Sequence, residues 1–175
     1  MKIINAKIEH QVSDLILSAA ECVFKVYGLD QPKPICEYLY KNKNNKFSFE
    51  NTKVLMIDEE VVGMIIVYKA EDELKLARNQ EQLLHTRYQK MVKVVDNEAI
   101  MGTYYIDTLA ISLNHMKKGY AQLLIKEIIN EYKNVSLIVD VENNGAFMLY
   151  KKMGFKIVET VEMFGETFYK MKIVI

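Results

Sequence analysis

Tyr104 to Ala121 reads YYIDTLAISLNHMKKGYA. Its β-branched and apolar residues up to Ile111 form a strand, a short polar loop follows, and Lys117-Lys118-Gly119-Tyr120-Ala121 opens a helix that runs to Tyr132. A helix N-terminus offers unpaired N–H groups and the positive end of the macrodipole. A glycine there lets a ligand approach the backbone, and the lysines add charge. The stretch is suited to a pyrophosphate. It reads equally as a solvated strand-to-helix turn with surface lysines, and taken alone it does not choose between the two.

A second stretch supplies the choice. Asn143 to Phe155, NNGAFMLYKKMGF, follows an apolar strand at Val135 to Val141 and reads as a short helix, Ala146 to Met153, ended by Gly154. With it the chain resembles the GNAT superfamily of acetyl-CoA-dependent N-acetyltransferases. That family's cofactor loop reads Gln/Arg-x-x-Gly-x-Gly/Ala, and its later helix reads Asn-x-x-Ala-x-x-Leu-Tyr-x-x-x-Gly-Phe. Here they are Met116-Lys117-Lys118-Gly119-Tyr120-Ala121 and Asn143-x-x-Ala146-x-x-Leu149-Tyr150-x-x-x-Gly154-Phe155. The second match meets each fixed position. The first departs at Met116, which offers a phosphate neither a cation nor an amide. The resemblance is carried by the C-terminal half, from about Met101 onward.

The rest of the chain follows the same order of elements. Lys2 to Ile8 alternates as a strand. Val12 to Val26 has helical spacing, with Ser13 and Asp14 placed to cap it. Pro32 and Pro34 open a helix to Tyr40, and the polar run Lys41 to Lys46 is a loop. Lys53 to Ile57 and Val61 to Tyr68 form a hairpin around Asp58-Glu59-Glu60. Glu71 to Lys93 reads as one long helix, with Leu76, Leu83, Leu84, Tyr88 and Met91 on one face. Strands at Phe155 to Met163 and Thr167 to Ile175 close the chain around Gly165. The resemblance implies an α/β (mixed α+β) sheet of the GNAT acyl-CoA N-acyltransferase fold. Residues 1–175 then form a single domain with a helical insertion, 70–102, between the third and fourth strands. That insertion would lid an acceptor site, meet a second subunit, or cover a sheet edge.

The resemblance also implies the chemistry: transfer of an acetyl group from acetyl-CoA to a primary amine of a small molecule or peptide, by direct attack in a ternary complex. It places the coenzyme against the backbone of Leu109, Ala110 and Ile111, the loop Met116, Lys117, Lys118, Gly119, Tyr120 and Ala121, and the side chains of Asn143 and Tyr150. Asn143 also suits a helix cap. Tyr150 matches the family's general acid for the leaving thiolate, and otherwise packs on the sheet. The base is not named by any motif. Residues two apart share a strand face, which puts Thr103, Tyr105, Asp107 and Leu109 together and makes Asp107 the leading base or amine anchor. A structural pairing of Asp107 with a lysine is the other reading. Glu98, Tyr105 and Glu142 are further candidates, while His115 and His85 read as solvated or packing residues. A non-catalytic acyl-CoA-binding sensor or regulatory module of the same fold is the alternative, and Met116 favours it.

Charge and composition narrow the partners. The 23 basic and 23 acidic residues cancel, so nucleic acid and anionic membranes are not expected partners. Glu71, Asp72, Glu73 and Glu81 are matched by neighbouring lysines and arginines and read as a solvated helix face. Cys22 and Cys36 are too few for a disulfide framework and read as helix-packing residues in a reducing cytoplasm, with no metal expected. Tyr38, Tyr40, Tyr104, Tyr105 and Phe164 read as core and rim. The acceptor amine has no sequence signature, and a homodimer is compatible with the resemblance.

Overall fold

The computed structural model describes residues 1–27, 31–94, 97–163 and 165–173, without the side chains of residues 21, 22, 25 and 26. Cys22, Phe164 and the last two residues of the expected closing strand therefore lie wholly or in part outside what is described. The elements in chain order are β1 (Lys2–Asn5), α1 (Ser13–Val26), α2 (Pro32–Lys41), β2 (Thr52–Ile57), β3 (Glu60–Lys69), α3 (Glu73–Tyr88), β4 (Tyr104–Ile111), α4 (Tyr120–Tyr132), β5 (Val135–Asp140), α5 (Asn144–Lys152), β6 (Phe155–Met163) and β7 (Glu166–Ile173). The seven strands form one mixed sheet in the order β1-β2-β3-β4-β5-β7-β6. All neighbours are antiparallel except β4 and β5, which run parallel.

Helices cover both faces, which is why β3 is buried almost along its whole length instead of alternating. On one face Ile16, Phe24, Leu39 and Leu84, from α1, α2 and α3, pack on Met64, Ile66 and Tyr105 of the sheet. On the other, Leu124, Ile125 and Ile128 of α4 meet Ile65, Val67, Ile106 and Leu137. The β2–β3 hairpin turns at Asp58 and Glu59, both with positive φ (47° and 66°). That is the twist a two-residue hairpin requires. Helix α1 is broken at Ala20, where φ is −125° and ψ 25°. No helix among the described residues is long and apolar enough to cross a membrane.

The long helix expected over Glu71 to Lys93 is shorter. A 3-10 turn at Ala70–Asp72 leads into α3, which ends at Tyr88. Gln89 adopts left-handed geometry (φ 53°) and its N–H bonds to the His85 carbonyl. No glycine marks this stop, so helical periodicity ran on past it. Met91, expected on the buried face, is 83% exposed in consequence. Of the acidic residues of this segment, Glu71 and Asp72 are exposed as a solvated face would be, but Glu73 and Glu81 are drawn inward. Glu73 is buried and accepts hydrogen bonds from the N–H groups of Glu98 and Ala99. Glu81 accepts from Val94, and Glu71 from Gly102. These carboxylates strap the segment returning to β4 against α3.

Candidate active site

β4 and β5 pair only at Tyr104 with Val135, Tyr105 with Ser136 and Ile106 with Leu137. Beyond Ile106 the strands separate while β4 stays bonded to β3 as far as Ile111. The β5-facing edge of Thr108 to Ile111 is thereby left open, on a cleft of about 490 Å³. Its floor is β4 and Ile138 to Asp140 of β5, and its walls include Ala19 and Val23 of α1, Val94 and Glu98 of the returning segment, and Tyr150 of α5. An open strand edge offers backbone donors and acceptors to an extended ligand.

The mouth of the cleft lies by the loop ahead of α4. Met116 lines it, and Lys117 and Gly119 both have positive φ (59° and 82°). A Cβ added at Gly119 would meet nothing within 4 Å, so the space in front of the loop is free. No hydrogen bond from the N–H groups of Lys117 through Ala121 occurs among the described residues. Asn143 also lines the cleft, and its side chain accepts from the Ala146 N–H at 3.0 Å, capping α5. Tyr150 stands behind it. Burial pushes its phenol up to about 12. Its hydroxyl has no hydrogen-bond partner among the described residues, yet no buried side-chain oxygen there lacks one. The hydroxyl is therefore the part of Tyr150 that opens on the cleft.

The inner end is built from charges. A register shift in the β3–β4 pairing opposes Ile66 to Thr108 and Val67 to Ile106, leaving Asp107 as the extra residue of a β-bulge. Bulges re-aim side chains, and this one reverses the alternation. Tyr105 and Ala110 belong to the α1-side core, but Leu109 lies on the α4 side. The expectation that Leu109 shares a face with Tyr105 and Asp107 is thus corrected. Asp107 accepts from the Tyr68 hydroxyl at 2.6 Å and from Thr108 Oγ1 at 2.8 Å. Lys46 Nζ lies 3.6 Å from Asp107 and 3.7 Å from Glu73, and it hydrogen-bonds Glu98 directly.

Local structure explains how a lysine from a polar run arrives here. Asn45 is fully buried, donating to the Leu39 and Asn42 carbonyls and accepting from the Phe47 N–H. Gln80 of α3 accepts from the Lys46 N–H and donates to the Tyr27 hydroxyl. The loop is folded inward around these amides. Burial disfavours the Lys46 ammonium, but Glu98, Asp107 and Glu73 outweigh that and hold its pKa above the ordinary value. Burial, Asp107 and Glu73 raise Glu98 to about 7 against the pull of Lys46. Tyr68 and Tyr105 are both pushed well up, chiefly by burial.

Of the candidate residues, the cleft gathers Asp107, Glu98, Leu109, Ala110, Ile111, Met116, Asn143 and Tyr150. Tyr105 is fully buried beneath it. Glu142 is exposed, His85 lies on the exposed side of α3, and His115 bonds Ser112 Oγ. Lys46, Glu73 and Tyr68 were not singled out for the site by sequence. No group of acidic, histidine or cysteine residues placed to hold a metal occurs among the described residues.

The family model described as "Acetyltransferase (GNAT) family" matches residues 20–155. The chain belongs to this family. It is an acyltransferase of the GNAT type, and acetyl transfer is its general chemistry. A curated relative, "Probable N-acetyltransferase san" of Drosophila melanogaster, is 32% identical over 76 residues, 40% of this chain and 41% of that one. The match thus spans about two fifths of that relative's length. The crystal structure of an acetyltransferase superimposes with a TM-score of 0.83 at 20% identity, covering 99% of this chain and 98% of the other. An N-acetyltransferase from Staphylococcus aureus Mu50 gives 0.81 at 24% identity, covering 99% and 100%. A GNAT family acetyltransferase from Elizabethkingia anophelis with acetyl-CoA bound gives 0.57 at 16%, covering 99% and 97%. At these identities the structures share the GNAT fold with this acetyltransferase.

Proposed function

We propose that this GNAT acetyltransferase moves the acetyl group of acetyl-CoA onto a primary amine of a small molecule or peptide, by direct attack in a ternary complex. The observation that carries the reading is the single cleft joining an unpaired backbone edge to a buried charge cluster. The N–H groups of Lys117 to Ala121 hold the pyrophosphate, with Lys118 assisting, and Leu109, Ala110 and Ile111 pair with the pantetheine arm. That track leads the thioester toward the Tyr150 hydroxyl, which gives its proton to the departing thiolate. Asp107 serves as an anchor at the amine end, its two oxygens already engaged by Tyr68 and Thr108.

Carboxylates outnumber cations along the cleft, whose lining includes Glu98, Asp107, Asp140 and Glu166 against Lys46. This favours an acceptor that arrives as an ammonium. The test is thiol release from acetyl-CoA over a panel of diamines, polyamines and short peptides, comparing the natural protein with Gly119→Glu. A long anionic side chain at φ 82° would strain the loop and repel a pyrophosphate. Amine-dependent release that is lost in the variant supports the reading. Amine-dependent release unaffected by Gly119→Glu would move the coenzyme elsewhere.

A further inference from the structure

We propose that Glu98, held by Lys46, is the proton acceptor for the incoming ammonium, so that the segment ahead of β4 supplies the base that the β4 motif does not. This rests on the acetyl-transfer reading above. Of the two carboxylates, Glu98 is the less engaged by its neighbours. Both Asp107 oxygens accept a hydrogen bond, from Tyr68 and Thr108. In Glu98 only Oε2 is engaged, by Lys46. Oε1 carries no hydrogen bond among the described residues, yet no buried side-chain oxygen there lacks a partner. Oε1 is therefore the atom through which this nearly buried residue, 8% exposed, reaches the cleft it lines.

The site is built to keep that oxygen in place and in the right state. Glu73 on α3 fixes the Glu98 backbone by accepting its N–H at 3.0 Å. Lys46 fixes the side chain and gives its charge a partner. The groups that face Glu98 electrostatically are Lys46 from the loop before β2, Glu73 from α3 and Asp107 from β4, with the tyrosines Tyr68, Tyr105 and Tyr27 around them. Burial and two neighbouring carboxylates against one ammonium bring its titration to about 7. A base poised near the working pH is the most effective for proton transfer.

Glu98 Oε1 takes one proton from R–NH3⁺, and the freed nitrogen pair attacks the acetyl carbonyl. The C–N bond forms, the C–S bond breaks, and the electron pair leaves on sulfur. Tyr150 protonates the thiolate and is reprotonated by the second nitrogen proton of the adduct. The proton on Glu98 passes to solvent, leaving amide, free thiol and one H⁺. Lys46 is a positioning residue in this scheme.

Two readouts test it. In the coenzyme-free protein carrying carboxyl-13C glutamate, one signal should titrate near neutrality. It should vanish in Glu98→Gln and move to higher pH in Lys46→Met, while Lys46→Arg keeps the original behaviour and guards against a Met variant that does not fold. In turnover, 1,4-diaminobutane is the probe, with acetyl-CoA saturating, from about pH 5 to pH 9. The natural protein should show kcat rising through an inflection near neutrality. Glu98→Gln should lose that inflection and about 10²-fold or more in kcat, with acetyl-CoA affinity unchanged, while Asp107→Asn, which removes one of the carboxylates that raise Glu98, keeps an inflection but at lower pH. A Glu98 signal in the ordinary carboxylate range, or an inflection that survives Glu98→Gln, overturns the proposal. Failure of the natural protein to bind acetyl-CoA would instead overturn the reading of the cleft, and the carboxyl titration would still decide Glu98.

Discussion

The two ends of the cleft present charge by opposite means. At the mouth, Lys117 to Ala121 present backbone N–H groups from one short, contiguous loop, with the lysine side chains in solvent and Gly119 leaving room in front. At the inner end, Lys46, Glu73, Glu98 and Asp107 come from four separate segments, and their side chains are almost wholly withdrawn from water. Backbone donors carry no net charge to desolvate and are indifferent to most side-chain changes. Buried ions are stable only as a complete set, because removing one partner leaves the others uncompensated. The mouth is suited to gripping a constant group, whereas the inner end is suited to discriminating and titrating.

The largest expected contrast is in stability. Lys46→Met should cost about 3–5 kcal/mol, read by denaturant unfolding, while Lys118→Met at the mouth should stay within about 0.5 kcal/mol. Equal effects would break the distinction. Next come binding and turnover. Gly119→Glu should abolish acetyl-CoA binding, measured by calorimetry, whereas Tyr150→Phe should keep binding and lower kcat by about 10²-fold.

A smaller effect should appear in the pH dependence of stability. Glu98 is held at about 7 when folded, against the ordinary carboxylate value of 4.5. Between those limits the folded protein binds the extra proton, so this group's contribution is full below the window and is lost as pH rises through it. Glu98→Gln should remove that decline, checked by thermal melts on either side of neutrality. The smallest is Asn143→Ala, which removes the α5 cap and should cost about 1 kcal/mol in a melt, with the inner charge cluster untouched.

The same contrast explains what the sequence disclosed. The strand at Tyr104 to Ile111 and the helix after Gly119 were legible because they rest on local backbone geometry, which residue order dictates. The motif from Asn143 to Phe155 carried the fold for the same reason. The inner cluster was not legible as a site, although Asp107 and Glu98 were candidates. Lys46 sits in a run that is polar at every position, and its burial depends on Asn45 bonding to the end of α2. Glu73 has the composition of a solvated helix and is buried only because the chain turns back at Gln89 to lie on it. The bulge at Asp107 is a property of pairing with β3, so simple alternation placed Leu109 on the wrong face.

The most direct test of the central claim is an amide chemical-shift titration of the 15N-labelled protein with acetyl-CoA. The account predicts that the large shifts fall in two tracts, Lys117 to Ala121 and Leu109 to Ile111, with the Tyr150 region following and the β1 edge unaffected. Saturable shifts confined to any other face, or none at all, would contradict it.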